Sequence, residues 1–91
     1  MDANELQGIL RAEYEPIETL EKIIARGKSR IDVLMGVAQD YEEDREAESL
    51  LIAYCRYEYN NAIEDFETNF AMQINSLALR SAIKEAAIDE T

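Results

Sequence analysis

The acidic run from Asp40 to Glu48 is the part of this sequence whose residue types most readily suggest chemistry, because six of its nine residues carry carboxylates. Its first, third and fifth residues are acidic, as at the start of a calcium-binding loop. That loop also requires glycine at its sixth position and glutamate at its twelfth. Those two positions hold Arg45 and Leu51, so a calcium loop is excluded.

A second hypothesis for the acidic run is the site of a metal-dependent hydrolase. The segment Glu42–Glu46 matches the first half of the acidic motif of all-helical, Mg²⁺-dependent nucleoside triphosphate pyrophosphohydrolases. In that motif, two glutamates one helical turn apart share a metal ion that polarises a phosphate. The second half is a Glu-x-x-Asp segment on a facing helix, and none follows here. We therefore favour a solvated helix start, and this enzyme is the weakest of three functional hypotheses.

Nucleophilic and acid–base chemistry find little support elsewhere in the sequence. There is no histidine, which removes the commonest general base and the commonest zinc ligand. The three glycines are isolated and form no phosphate-binding loop. The single cysteine, Cys55, has apolar and aromatic neighbours, which favours a buried structural thiol over a nucleophile. We expect no catalytic activity, no cofactor and no metal.

The charge balance of 20 acidic against 9 basic residues gives a formal net charge of −11, which disfavours binding to nucleic acid. One basic cluster departs from this trend: Lys22, Arg26, Lys28 and Arg30. We interpret it as a solvated helix end whose cations offset the helix dipole, in preference to a phosphate-binding patch. A lone Cys55 suits a reducing compartment. With no recognisable signal peptide and no apolar run of membrane-spanning length, we expect a cytoplasmic protein without a membrane partner.

Three tyrosines surround Arg56 in the middle of the chain. On a helix, Tyr54 and Tyr57 face one way, while Arg56 and Tyr59 face nearly the other way. The first pair is expected to serve the core. Tyr59 and Arg56 are either presented to a partner, because both residue types are enriched at interfaces, or they cover the edge of the core with the tyrosine hydroxyl in water. The sequence leaves these two alternatives open.

Helices must position these side chains, because apolar residues recur at three- and four-residue steps and no useful strand-like alternation occurs. A capping-box pattern at Asp2–Glu5 predicts a short first helix, and a second one at Asn61–Glu64 predicts a fresh helix start. Breaks between helices are predicted at Tyr14–Pro16, at Gly36–Tyr41 and at Asn60–Asn61.

The predicted fold is all-α: a small antiparallel helical bundle with three main helices and a short N-terminal helix. Gly27 lies on the apolar stripe of the second helix, where we expect the close approach of a neighbouring helix. The last main helix is expected to turn one stripe inward from Phe66 to Leu77. Residues 1–78 form the predicted domain, and 79–91 form a C-terminal tail that is helical or becomes ordered on assembly. The predicted core residues are Leu20, Ile24, Leu51, Tyr54, Phe66, Phe70 and Ile74.

The stretch Ala47–Leu79 resembles the C-terminal half of the head–tail connector proteins of tailed phages, the small head-completion adaptors of siphophages and related prophages. The basic segment Ile24–Gly36, which closes on glycine, fits the same family, so the resemblance covers about two-thirds of the chain. The resemblance rests on a leucine pair, a Tyr-x-Arg-Tyr core, an Asn-Asn-Ala segment, two spaced phenylalanines and a leucine-rich end: Leu50, Leu51, Tyr54, Arg56, Tyr57, Asn60, Asn61, Ala62, Phe66, Phe70, Leu77 and Leu79.

The resemblance implies a structural protein of the virion, assembled in the bacterial cytoplasm and placed at the head–tail junction. Copies would dock on the portal protein as a ring, dodecameric by family resemblance, that extends the DNA channel and supports the stopper or tail-completion protein. DNA would pass through without specific binding. At −11 per copy, the isolated protein is expected to be monomeric or weakly associated. Partner contacts are expected at Arg26, Arg30, Asp44, Arg56, Tyr59, Leu79 and Ile83, with the basic helix of one copy against the acidic helix start of the next.

The main alternative to a connector is a small acidic regulatory module that binds a protein, such as a DNA mimic or an inhibitor of a basic enzyme. Such a module would present a continuous carboxylate face. In this sequence the acids cluster at one predicted helix start and are otherwise mixed with bases. We therefore favour the connector hypothesis.

Overall fold

Helices make up the regular structure in the computed structural model, which describes the backbone of residues 1–89 and the side chains of residues 1–85. No strand occurs in this part of the chain. The helices are α1 (Ala3–Leu10), α2 (Ile17–Met35), α3 (Arg45–Tyr59), α4 (Phe66–Asn69) and α5 (Ala71–Asp89), with a 3₁₀ turn at Ile63–Asp65 before α4.

The helices pack as a bundle around α2, which contacts α1, α3 and α5. Arg80 of α5 pairs with Asp44 at the start of α3. Phe70, just before α5, packs against Tyr57 near the end of α3. The two helices are therefore antiparallel. The predicted all-α bundle is confirmed.

Local signals in the sequence set the ends of the first three helices. Asp2 caps α1 by accepting a hydrogen bond from the N–H of Glu5 at 2.9 Å. Asp44 caps α3 by accepting from the N–H groups of Glu46 and Ala47 at 3.0 and 3.2 Å. Such caps satisfy donors that have no partner inside the helix. Gly36 ends α2 in a left-handed conformation, with φ of 75°, which glycine adopts without a steric penalty.

The predicted capping box at Asn61–Glu64 is wrong, although the predicted break at this point is correct. Asn61 has a left-handed backbone with φ of 58°, and its N–H donates to the carbonyl of Glu58 at 3.1 Å. The N–H of Ala62 donates to the carbonyl of Tyr57 at 2.8 Å. Asn61 therefore closes α3, because asparagine tolerates the left-handed region better than most residues. A 3₁₀ turn then leads into α4.

The predicted fourth helix is also divided in two, because the chain leaves helical geometry at Phe70, the residue between α4 and α5. Phe66 is buried with 1% of its surface exposed, whereas Phe70 is half-buried and packs against the core from its edge. Phe70, predicted as a core residue, therefore lies at the edge of the core, and Phe66 lies inside it. The other predicted core residues are buried, namely Leu20, Ile24, Leu51, Tyr54, Phe66 and Ile74.

Gly27 lies where α2 and α3 come closest together, as predicted. A Cβ atom at this position would lie 2.8 Å from Cδ1 of Leu51 and 2.8 Å from Cδ1 of Tyr54. Leu51 is fully buried, and Tyr54 is 7% exposed. Only glycine lets these two side chains pack directly against the backbone of α2.

α5 continues through the predicted boundary between residues 78 and 79 and runs to Asp89. Two residues near the start of the predicted tail, Arg80 and Ser81, contact the rest of the bundle. Ser81 is buried, with 7% of its surface exposed, and its hydroxyl accepts a hydrogen bond from the side-chain amide of Gln39 at 3.2 Å. Residues 90 and 91 of the predicted tail lie outside the described residues.

Candidate interaction site

α5 carries apolar side chains on two opposite faces. Ile74 and Leu77 point into the core, with 9% and 0% of their surface exposed. Met72, Leu79 and Ile83 are 84%, 64% and 62% exposed. At 3.6 residues per turn, these three residues align along one side of α5, opposite the core face. We call them the outer α5 stripe.

The segment of α5 that carries the outer stripe is almost uncharged. Between Ala71 and Ile83 the only charged residue is Arg80, in a chain of which 32% is charged. Arg80 Nη2 already lies 2.6 Å from Asp44 Oδ2 within the same chain. Covering the stripe with another protein surface would therefore desolvate few charges of α5. Desolvation of charges is the costly part of burying a surface.

A groove of about 580 Å³ lies beside the stripe, between α3 and α5. Its apolar lining comes from Leu50, Phe70 and Met72. Polar and charged side chains complete the lining, namely Arg45, Glu46, Ser49, Gln73 and Ser76. We call it the α3–α5 groove. The groove therefore combines apolar surface with hydrogen-bonding groups, as ligand-binding pockets commonly do.

The corner between α1 and α2 presents one aromatic residue completely to solvent. Tyr14 has 101% of its reference surface exposed. The side-chain amide of Gln7 donates to the carbonyls of Glu13 and Glu15, both at 3.4 Å, so that it holds the backbone on each side of Tyr14. The left-handed Arg11, with φ of 55°, ends α1 and starts the corner. The only sequence signal of this feature is an aromatic residue between two glutamates at a predicted break.

The predicted interface residues Arg26 and Arg30 are engaged within the chain. Arg26 makes a bidentate ion pair with Glu58 of α3, at 2.7 and 3.0 Å. Arg30 pairs in the same way with Glu67 of α4, with its shortest contact at 2.8 Å. Both arginines are about half exposed, so each pair contributes no more than about 1 kcal/mol. These arginines connect α2 to its neighbours, and we do not carry them into the proposed interface.

The interpretation of the basic cluster as a helix end is wrong. All four of its residues lie in the middle of α2, and the last turn of α2 contains no basic residue. The ammonium group of Lys28 lies 5.7 Å from the centre of the Tyr41 ring, within cation–π distance. The Tyr41 hydroxyl donates to Asp32 at 2.6 Å, and burial raises the pKa of Tyr41 above its usual range. Three members of the cluster, Arg26, Lys28 and Arg30, thus make contacts within the chain.

Asp44, the third predicted interface residue, also has a structural role. It caps α3 and pairs with Arg80. Burial opposes ionisation of Asp44, but the bond from Arg80 and the backbone N–H groups together hold the pKa of this carboxyl below its ordinary value. Asp40 accepts hydrogen bonds from the N–H groups of Glu42 and Glu43, both at 3.1 Å. Two members of the acidic run thus stabilise local backbone.

The remaining predicted interface residues divide into two groups. Leu79 and Ile83 belong to the exposed outer α5 stripe, and Arg56 is exposed on α3. Tyr59 is half-buried and packs against the core cluster, which favours the alternative that it covers the edge of the core. Helical periodicity underestimates the burial of a residue at the C-terminal end of α3, because this end lies against the turn that leads to α4.

Cys55 lies deep in the core, with 0% of its surface exposed. Burial raises the pKa of the Cys55 thiol to about 12, which leaves it protonated at neutral pH and poorly nucleophilic. Among the described residues, no group of three or more cysteine or acidic side chains is placed to hold a metal ion. None of the helices described is long and apolar enough to cross a membrane.

Comparison with known proteins yielded no match: no family model, no curated protein and no solved structure is significantly similar to the chain.

Proposed function

We propose that this protein is a structural head–tail connector of a tailed phage or prophage, which docks on a portal as a ring. The observation that carries the proposal is the outer α5 stripe. An exposed, uncharged row of apolar side chains opposite the core favours a chain whose working state includes a protein partner. The stretch with the sequence resemblance, Ala47–Leu79, spans α3, α4 and the first half of α5, so it includes the elements that present this stripe.

In this proposal the end of the outer α5 stripe contacts the portal. Leu79 and Ile83 lie one turn apart on the part of α5 that follows the last fully buried core residue, Leu77. Burying two such side chains contributes about 1.5–3 kcal/mol each when coverage is complete. The net charge of −11 suits a ring around a DNA channel, because a wall with few free cations does not retain phosphates.

The test is co-expression with a portal protein encoded in the same genome, followed by co-purification and electron microscopy. We expect the wild-type protein to co-purify with the portal and to form rings on it. Leu79→Lys and Ile83→Lys should abolish co-purification with little change in thermal stability, because both side chains are exposed. Val33→Lys is the matched control, since Val33 is 67% exposed on α2, and it should co-purify as the parent does. A wild-type protein that does not bind the portal would refute the proposal.

A further inference from the structure

We propose that copies of this chain associate head to tail, with Tyr14 of one copy inserted into the α3–α5 groove of the next. The inference rests on the proposed ring function and specifies the contact between neighbouring subunits. It replaces the contact expected from the sequence, between the basic cluster and the acidic run.

Tyr14 is exposed in the isolated chain, and its backbone is restrained by hydrogen bonds. Its side chain is fully exposed, and Gln7 bonds the backbone on both sides of it. Binding therefore does not have to order a mobile loop, which is one of the main costs of association. Tyrosine is also among the residues that contribute most to binding at interfaces, because its ring is large and has few rotatable bonds.

The α3–α5 groove offers complementary chemistry to a tyrosine. Leu50, Phe70 and Met72 provide apolar surface for the ring. Phe70 is half-buried, and Met72 is 84% exposed, so a ring placed there would cover apolar surface that the isolated chain leaves in water. Ser76 and Gln73 line the same groove and can bond the tyrosine hydroxyl.

Charge complementarity identifies a second copy as the occupant. Tyr14 lies between Glu13 and Glu15, and the bases nearest to it in the sequence are Arg11 and Lys22. The groove includes Arg45, which takes part in none of the ion pairs of the described residues. The one acid that lines the groove, Glu46, lies 3.9 Å from the Arg80 guanidinium, which makes its shorter contact with Asp44. In the proposed contact the acidic corner lies against Arg45, and this attraction opposes the repulsion between copies that each carry a charge of −11.

A copy cannot fill its own groove with Tyr14. The corner joins α1 to α2, whereas the groove is formed by α3 and α5. The ion pair between Arg26 and Glu58 places the end of α3 beside the middle of α2. Ile17, the first residue of α2, lies nine residues before Arg26. This places the corner roughly 14 Å from Arg26 along the helix axis. Two different surfaces thus meet in each contact, and such heterologous contacts close into rings or continue as filaments.

Cysteine trapping tests the contact directly, because buried Cys55 does not compete at mild pH. We would mix separately purified Tyr14→Cys and Ser76→Cys proteins under oxidising conditions. The mixture should give disulfide-linked dimers that contain one copy of each variant. The double variant should give a ladder of linked copies, since each copy then supplies both surfaces. The matched control is Tyr14→Cys with Val33→Cys, which should give only background linkage. Linkage of Tyr14→Cys to itself, or linkage no greater than in the control, would overturn the proposal.

Two further variants test the chemistry of the contact by sedimentation of the unmodified chain at high concentration. Tyr14→Ala should weaken association about tenfold or more, as expected for a central interface residue, without lowering the thermal midpoint. Glu15→Arg and Arg45→Glu should each weaken association, and the chain that carries both substitutions should regain it, because the exchanged charges attract each other again. Failure of this rescue would show that the charges do not face each other and would contradict the proposal.

These outcomes remain separable from the proposed function. If the portal is bound but trapping fails, the head-to-tail contact is wrong and the connector proposal stands. If trapping succeeds and no portal is bound, the contact stands and the connector proposal is wrong.

Discussion

Replacing Gly27 with alanine should destabilise the bundle, even though alanine is normally the better helix residue. The exchange gains about 0.5–1 kcal/mol from helix propensity. The new Cβ, however, would lie 2.8 Å from both Leu51 and Tyr54. Neither neighbour moves easily, because Leu51 is fully buried and the Tyr54 hydroxyl donates to Glu58 at 2.9 Å. Overpacking of this kind costs about 1–3 kcal/mol, and two simultaneous contacts place the cost at the upper end.

The net loss for Gly27→Ala is therefore about 1–2 kcal/mol, which lowers the thermal midpoint of a domain of this size by roughly 4–16 °C. Thermal unfolding followed by far-UV circular dichroism measures it. Gly8→Ala is the matched control, because Gly8 is also inside a helix and a Cβ there meets nothing within 4 Å. It should stabilise the protein by about 0.4–1 kcal/mol. If both variants melt above the parent, the close packing of α2 on α3 is refuted.

Three further predictions concern the core and its edge. Phe66→Ala should cost about 3–5 kcal/mol in chemical denaturation, and Phe70→Ala clearly less, because Phe70 is half-buried; equal losses would contradict the difference in burial. The hydrogen bond from Arg26 holds the pKa of Glu58 below its ordinary value, so its stabilisation is complete above the ordinary pKa of a glutamate and is lost as the pH falls through the lowered pKa. The stability gap between the parent and Glu58→Gln should therefore shrink on acidification in urea titrations, and a constant gap would count against this pair. Cys55, whose pKa is raised to about 12, should react with iodoacetamide at neutral pH only as fast as the protein unfolds, and rapid alkylation of the native protein would refute its burial.

Features of the fold that depend on local chemistry could be predicted from the sequence. Asp2 caps one helix and Gly36 ends another through contacts with residues close to them in the sequence. Their positions therefore indicate where helices begin and end. Gly27 could be assigned to a close helix contact because it interrupts an otherwise apolar stripe. In each case the signal and the structural consequence lie in the same segment.

Other features were missed because they depend on contacts between distant segments. Arg26 and Glu58 are 32 residues apart, and a run of bases gives no sign of the acids that will face it. Asn61 fits both a helix start and a helix end, and only the left-handed backbone after α3 decides between them. The α3–α5 groove exists because the chain breaks at Phe70 and then reverses along α3, which no periodicity reveals.

The aromatic cluster at the turn after α3 has a consequence for the order of folding. Tyr54, Tyr57, Phe66 and Phe70 lie within 17 residues of one another, and their ring centres are 5.5–6.1 Å apart. Closing so short a loop costs little chain entropy, so we expect these rings to meet early and to form part of the folding nucleus. During synthesis, α2 emerges from the ribosome before the rings that complete this nucleus. The apolar stripe of α2 must then remain uncovered while the segment up to Phe70 is translated, which takes a few seconds at about 5–20 residues per second.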